Sequence, residues 1–311
     1  MTQRTPLALV GPTAVGKTDL SLALAESLSA EIVSIDSMLV YRGMDVGTAK
    51  PSGAERARVP HHMIDVAEPS EAFSVARFQE AARLVLRQTG ERGREALLVG
   101  GSGLYFRAIV DELEFPGTDR DTRSELERQA AALGPERLYA RLASMDPVAA
   151  ARIEPANARR IVRALEVPAL TGRPFSSFAD AWDRYDPDAV RAAGLRMSRE
   201  RLIERIRARV RAMLDDGWID EVRSLVDAGF GGWLTSTQAI GYAELARHLR
   251  GEMTLEHAVE ATVKRTTNLA RRQMAWFRRD PRIRWFDVDE RGPMSAFEPI
   301  RAFLSRPWED E

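Results

Sequence analysis

The first hundred residues alternate short, wholly apolar runs with amphipathic stretches. Leu7-Ala8-Leu9-Val10, Glu31 to Ile35 and Ala96 to Val99 have the continuous hydrophobicity of strands covered on both faces. Between them, Asp19 to Ser29 carries Leu20, Leu24 and Leu28 at a helical step, and Phe78 to Gln88 is helical in the same way. Strands joined by helical crossovers predict a parallel sheet in an α/β fold. The texture changes after Pro116-Gly117. Asp119 to about Leu170 is rich in helix formers and charge with no strand-like run, and Phe175 to Asp186 is aromatic and irregular. Gly194 to Met197 reads as a returning strand, helices dominate from Arg199 to Arg279, and Ile283 to Val288 is a last strand before a short helix. The expected division is an α/β core over 1–120 and 186–311, with a helical insertion domain over 121–185.

Composition narrows the function classes. No run approaches the ~18 apolar residues of a spanning helix, and the mean hydropathy is −0.30. The start is too short in apolar residues for a signal peptide, so a cytoplasmic protein is expected. The absence of cysteine excludes disulfides, thiolate zinc sites and a Cys nucleophile. All but three of the 45 Lys and Arg residues are Arg; the lysines are Lys17, Lys50 and Lys264. Two of those three lie in glycine-containing loops.

Gly11-Pro12-Thr13-Ala14-Val15-Gly16-Lys17-Thr18 matches the phosphate-loop pattern, between an expected strand and an expected helix. Its glycines let backbone amides wrap an anion, Lys17 supplies a mobile charge, and Thr18 offers a hydroxyl to Mg²⁺. The pattern implies a bound polyphosphate without saying which atom of it reacts. Asp36 ends the second strand, where ligands of open parallel sheets sit. It suits a Mg²⁺ ligand, a general base or a turn residue. The stretch Tyr41 to Pro51 is polar and glycine-punctuated, consistent with a surface loop.

GPTAVGKT, DSMLVYRGMDVGTAKP, HHMIDV, GGSGLYFRA, RRIVRALEV, TGRPFS, QAIGY and ARRQMAWFR follow one another along nearly the whole chain. In this order they resemble the bacterial tRNA isopentenyltransferase (tRNA dimethylallyltransferase) family. The resemblance implies a P-loop NTPase-like core and transfer of dimethylallyl from dimethylallyl diphosphate to N6 of an adenosine. That adenosine lies beside the anticodon of tRNAs reading codons that begin with U. It implies that Gly11 to Thr18 and Arg199 hold the diphosphate, that Mg²⁺ is the cofactor, and that Asp36 is the base. Ser102 stands where the family usually has Thr, keeping a hydroxyl near the reacting groups. The family's tRNA-contacting stretches match Asp36, Ser37, Met38 and Leu39; Arg159, Arg160, Ile161, Val162 and Arg163; and Gln238, Ala239, Ile240, Gly241, Tyr242 and Ala243. They also match Arg271, Arg272, Gln273, Met274, Ala275, Trp276, Phe277 and Arg278, with Ser102 and Arg123 as isolated contacts. Arg159 replaces a common Gln, and Ala243 stands where Arg or Lys is frequent. With four His and no Cys, a zinc-finger extension like that of eukaryotic relatives is not expected.

The RNA expectation has independent support. Residues 262–284 hold eight basic residues and one acidic, with Trp276 and Phe277 among them, although the whole chain carries a net charge of −1. A target base in an anticodon loop has to be extruded to react. The expected partners are a tRNA anticodon stem–loop and dimethylallyl diphosphate, with no membrane and a monomeric enzyme. Three other readings stay open on sequence: an isopentenyltransferase acting on free adenine nucleotides, a small-molecule P-loop kinase, and a nucleotide-switched RNA-binding regulator.

Overall fold

The computed structural model describes residues 5–306. Its sheet has six parallel strands: β1 (Leu7–Val10), β2 (Ala30–Ser34), β3 (His61–His62), β4 (Glu95–Gly100), β5 (Arg191–Arg196) and β6 (Ile283–Asp287). Their spatial order is β3-β2-β4-β1-β5-β6. The continuous apolar runs are the central strands, buried on both faces: every residue of β1 and β2 is buried. The register matters most for the site. Val10 pairs with Gly100, and Ser34 pairs with Val99. The chain therefore leaves β1, β2 and β4 at one height, which brings Gly11, Asp36 and Gly101 to the same sheet edge.

The chain divides into two compact units, one running to Val110 and resuming at Pro187, the other Asp111–Asp186. The first carries the whole parallel sheet, and its boundary falls at Val110, ten residues before the expected 120. The second has a core of its own, built from residues such as Leu126, Leu138, Leu142, Ile161 and Leu165 on helices Arg120–Leu133, Pro135–Met145 and Ala158–Thr171.

Two strands depart from the sequence reading. β5 begins at Arg191, three residues earlier than the apolar run, because Arg191, Ala192 and Ala193 pair with Leu7, Ala8 and Leu9 of β1; the buried Arg191 side chain donates to the Arg306 carbonyl. β3 has no apolar signal at all: its two histidines extend the edge by pairing with Ile32 and Val33. The Tyr41 to Pro51 stretch is no surface loop either. Tyr41 and Met44 are core residues, and the Glu221 carboxylate accepts the amides of Asp45, Val46 and Gly47 at 2.8, 2.7 and 3.1 Å.

Candidate active site

The loop after β1 enters helix α1 (Lys17–Ser27), which begins at a left-handed Gly16 with no side-chain cap. A free helix N-terminus with inward amides attracts anions. Two glycines are sterically required. A Cβ on Gly11 would approach the Leu195 carbonyl oxygen to 2.8 Å, and one on Gly16 would lie 2.2 Å from the Pro293 ring. The loop is braced from outside: Arg205 Nε donates to the Ala14 carbonyl at 2.7 Å, and Gln273 Oε1 accepts the Thr13 amide at 2.8 Å.

Lys17 is partly exposed as a residue, yet its ammonium turns inward and donates to the Gly11 and Pro12 carbonyls at 2.9 and 2.8 Å. Burial and the positive charge of Arg209 push its pKa down to about 7, with Asp36 pulling the other way. Burial also lowers Arg209, which lies near Asp36 and Arg205. Asp36 Oδ1 accepts the Met38 amide at 2.8 Å, a turn that fixes the carboxylate's orientation at the sheet edge.

These groups line one cavity of about 530 Å³. Thr13, Lys17, Thr18, Asp36, Arg205, Arg209 and Gln273 supply its polar wall, and Ile32, Leu39, Ile64 and Val99 an apolar one. The volume is that of an ordinary ligand pocket, roughly 300–1,000 Å³. The oxygens that could hold Mg²⁺ are the Thr18 hydroxyl and the Asp36 carboxylate. Among the described residues no cluster of three or more acidic or His groups could chelate a metal unaided. That donor set fits an ion shared with phosphate oxygens.

Several sequence-designated residues fall elsewhere. Arg199 is exposed and does not line the cavity; Arg205 and Arg209, on the same helix (Arg199–Asp215), do. The sequence reading missed both; they lie four residues apart on one flank of a helix whose buried residues include Leu202, Ile206 and Val210. Ser102 is not a wall of the cavity. Its hydroxyl accepts the Tyr105 amide at 3.3 Å and caps the Gly103–Val110 helix. Ser37 and Met38 are half-buried beyond Asp36.

The basic C-terminal helix (Leu255–Phe277) presents Arg271, Arg272, Trp276 and, just past it, Arg278 to solvent. Phe277, not Trp276, packs inward, meeting Phe106 edge to face at 5.9 Å. Trp276 is 42 % exposed and lies over Gly103, where a Cβ would come 2.7 Å from the indole. Gly101 leaves the same kind of space for Gln273, at 2.3 Å.

Other RNA-designated side chains have structural partners. Tyr242 is fully buried and donates to Glu221 at 2.6 Å, and Ala239 is core. Gln238 is exposed, while Ile240 and Ala243 are half-buried. In the insertion unit, Arg123 and Arg163 both pair with the buried Glu166, at 2.7 and 2.8 Å. Arg159 and Arg160 are exposed, and Ile161 and Val162 are core.

Comparison with known proteins places the chain in one family. The family described as "IPP transferase" matches residues 39–280. A tRNA dimethylallyltransferase of Desulforudis audaxviator is 47% identical over 303 residues, covering 96% of this chain and 98% of the relative. One from Thermobifida fusca is 50% identical over 291 residues, covering 92% and 90%. Among solved structures, the full-length tRNA isopentenylpyrophosphate transferase of Bacillus halodurans matches with a TM-score of 0.71. It is 42% identical, with 97% of this chain and 96% of that chain covered. A eukaryotic dimethylallyltransferase acting on tRNA matches with a TM-score of 0.81 at 25% identity, with coverage of 96% and 77%. With relatives this similar over nearly the whole length, the chain belongs to the IPP transferase family.

Proposed function

We propose that this protein is a tRNA dimethylallyltransferase. It transfers the dimethylallyl group of dimethylallyl diphosphate to the exocyclic N6 amine of the adenosine beside the anticodon, in tRNAs that read codons beginning with U. The observation that carries the reading is the single cavity holding both an anion-binding loop with Lys17, Arg205 and Arg209 and a carboxylate, Asp36, beside apolar walls. A phosphate-binding site alone would serve a kinase; the exposed Arg and Trp276 of the C-terminal helix give RNA a surface that a small-molecule kinase does not need.

The reaction breaks the carbon–oxygen bond of the donor and forms a carbon–nitrogen bond. Negative charge grows on the departing diphosphate, so fixed donors aimed there stabilise the transition state most. The loop amides, Lys17 and the Arg205–Arg209 pair supply them. The amine's lone pair is delocalised into the purine, so removing its proton as the bond forms lowers the barrier. Asp36, held in orientation by Met38, accepts that proton. Mg²⁺, held by Thr18 and the donor's oxygens, would add charge neutralisation on the leaving group. Ser102 caps the Gly103–Val110 helix just after Gly100 and Gly101, which line the cavity. Arg271, Arg272, Trp276 and Arg278 grip the RNA, with Arg159 and Arg160 presenting a second basic surface on the insertion unit. The enzyme works as a monomer in the cytoplasm.

The test is to incubate the protein with an anticodon stem–loop, Mg²⁺ and either dimethylallyl diphosphate or ATP, and weigh the RNA. One dimethylallyl group per RNA with the first donor and no change with the second is expected. A phosphorylated or unchanged RNA would overturn the proposal.

A further inference from the structure

Two features of the sequence have no part in the chemistry above: the His61-His62-Met63-Ile64-Asp65-Val66 segment and the rare lysine at position 50. The structure brings them together. Met63 and Asp65 both adopt left-handed backbone conformations, φ 61° and 57°. Such conformations are disfavoured for residues with a Cβ and persist where the surroundings impose them, most often at functional sites. Here the imposition is visible. Lys50, only 2 % exposed in its side chain, donates to Asp65 Oδ1 at 2.6 Å, and Arg56 donates to Oδ2 at 2.7 Å. Lys50 also donates to the Tyr41 carbonyl at 2.7 Å and pairs with Asp45. The Asp65 and Val66 amides bond to the Leu39 and Val40 carbonyls at 3.1 and 2.8 Å.

Between the two strained residues stands Ile64, whose side chain lines the reaction cavity. Its apolar company there is Ile32, Leu39 and Val99, with Ser34 on the same strand face as Ile32. Ile32 and Val99 lie on one face of the sheet, since Ile32 is two residues from Ser34 and Ser34 pairs with Val99. His61 pairs with Ile32 and lines the cavity on that face. Its Nδ1 lies 2.7 Å from the Val59 carbonyl oxygen, and burial lowers its pKa. The cationic groups of the cavity come from α1 and the Arg199–Asp215 helix, and its hydroxyls include Ser34 and Thr48 besides those of the phosphate loop and α1.

We infer that Ile64, presented by the strained Met63–Asp65 turn and locked by Lys50 and Arg56, is the residue that limits the length of the donor's isoprenoid chain. The inference rests on the proposed prenyl transfer. Ile64 with Ile32, Leu39 and Val99 forms the wall against which the five-carbon group packs, and Lys50 is a positioning residue acting through Asp65. A strained turn clamped by ion pairs cannot relax outward for a longer chain, whereas the same isoleucine on an ordinary loop could.

The experiment compares kcat/KM for dimethylallyl diphosphate with that for its ten-carbon homologue, geranyl diphosphate, using one anticodon stem–loop. Inorganic pyrophosphate, as a competitive inhibitor, reports separately on the polar end. In Ile64→Ala the ratio should move toward the ten-carbon donor by about ten- to a hundredfold, the scale of removing methylene groups from a specificity pocket. Ile64→Phe should slow five-carbon transfer while pyrophosphate inhibits as in the wild type. Lys50→Gln should move the ratio in the same direction as Ile64→Ala without changing pyrophosphate inhibition, a result that mere loss of stability does not give. Ile64→Val, the mildest change, keeps the comparison possible if Ile64→Ala folds poorly. An unchanged ratio in the Ile64 variants, with five-carbon transfer intact, would overturn the gate alone. A wild type that prenylates no RNA would overturn the donor reading and the gate with it.

Discussion

Lys17 offers a quantitative test of how the phosphate loop is charged before its ligand arrives. Its pKa of about 7 reflects burial and the proximity of Arg209. A bound diphosphate reverses the balance, because negative charge favours the ammonium, so binding above pH 7 takes up a proton. At pH 8 about nine-tenths of the free lysines are neutral, so close to one proton is absorbed per ligand, against about a tenth at pH 6. Each pH unit above the midpoint then weakens apparent affinity by up to about tenfold, ~1.4 kcal/mol. The stability of the unliganded protein has its own sign. From about pH 7 to 10.5 the unfolded chain holds a proton that the folded chain lacks, so this lysine makes stability rise with pH across that window. In Lys17→Arg the charge is permanent and the uptake disappears. Titrating pyrophosphate calorimetrically at pH 8, in two buffers of different ionisation enthalpy, measures the protons directly. The ligand's own protonation is common to both proteins and cancels in the difference. Equal uptake by wild type and Lys17→Arg would refute the reasoning.

Asp36→Asn should slow single-turnover prenyl transfer by roughly 10²–10⁴-fold while leaving RNA affinity near normal; full single-turnover activity would remove the carboxylate from proton transfer. Arg205→Ala and Arg209→Ala should each weaken pyrophosphate binding more than Arg199→Ala does, and the reverse order in a binding titration would return the diphosphate to Arg199. Phe277→Ala should lower unfolding free energy by about 3–5 kcal/mol as a core truncation. Trp276→Ala should lower the unfolding free energy by less than Phe277→Ala does and, unlike it, weaken anticodon stem–loop binding directly. Glu31, held at about 2 by Arg92 and also bonded to His62, contributes stability that is fully present above about pH 4.5 and is lost as pH falls toward 2. Glu31→Gln should therefore cost roughly 2–3 kcal/mol at neutral pH, and chemical denaturation should show the gap closing in acid.

The core strands and the phosphate loop were legible because both are local signals: doubly covered parallel strands are continuous apolar runs, and the loop's pattern lies in eight consecutive residues. The aligned exits of β1, β2 and β4, which put Asp36 beside that loop, follow from the same runs. What escaped the sequence was set by distant partners. Residues 45–47 looked like a solvated loop, yet their amides are held by Glu221, which lies on another helix far along the chain. The Arg199–Asp215 helix carries arginines on several sides, and only its packing against the loop selects Arg205 and Arg209 over Arg199. Tyr242, within a stretch assigned to RNA, is claimed by the core through Glu221 and Trp218, whose rings and carboxylate surround it. β3 is too short and too polar to show any period, and its histidines make sense only once Ile32 is beside them.

The central claim is that the loop binds a diphosphate that departs from carbon. Dimethylallyl diphosphate carrying heavy oxygen only at the bridge between carbon and phosphorus tests it most directly, by following the label after reaction with an anticodon stem–loop. Cleavage at carbon delivers all of the label to the released diphosphate and an unlabelled dimethylallyl group to the adenosine amine. Label retained on the five-carbon product, or any phosphorus transferred to RNA, would contradict the account.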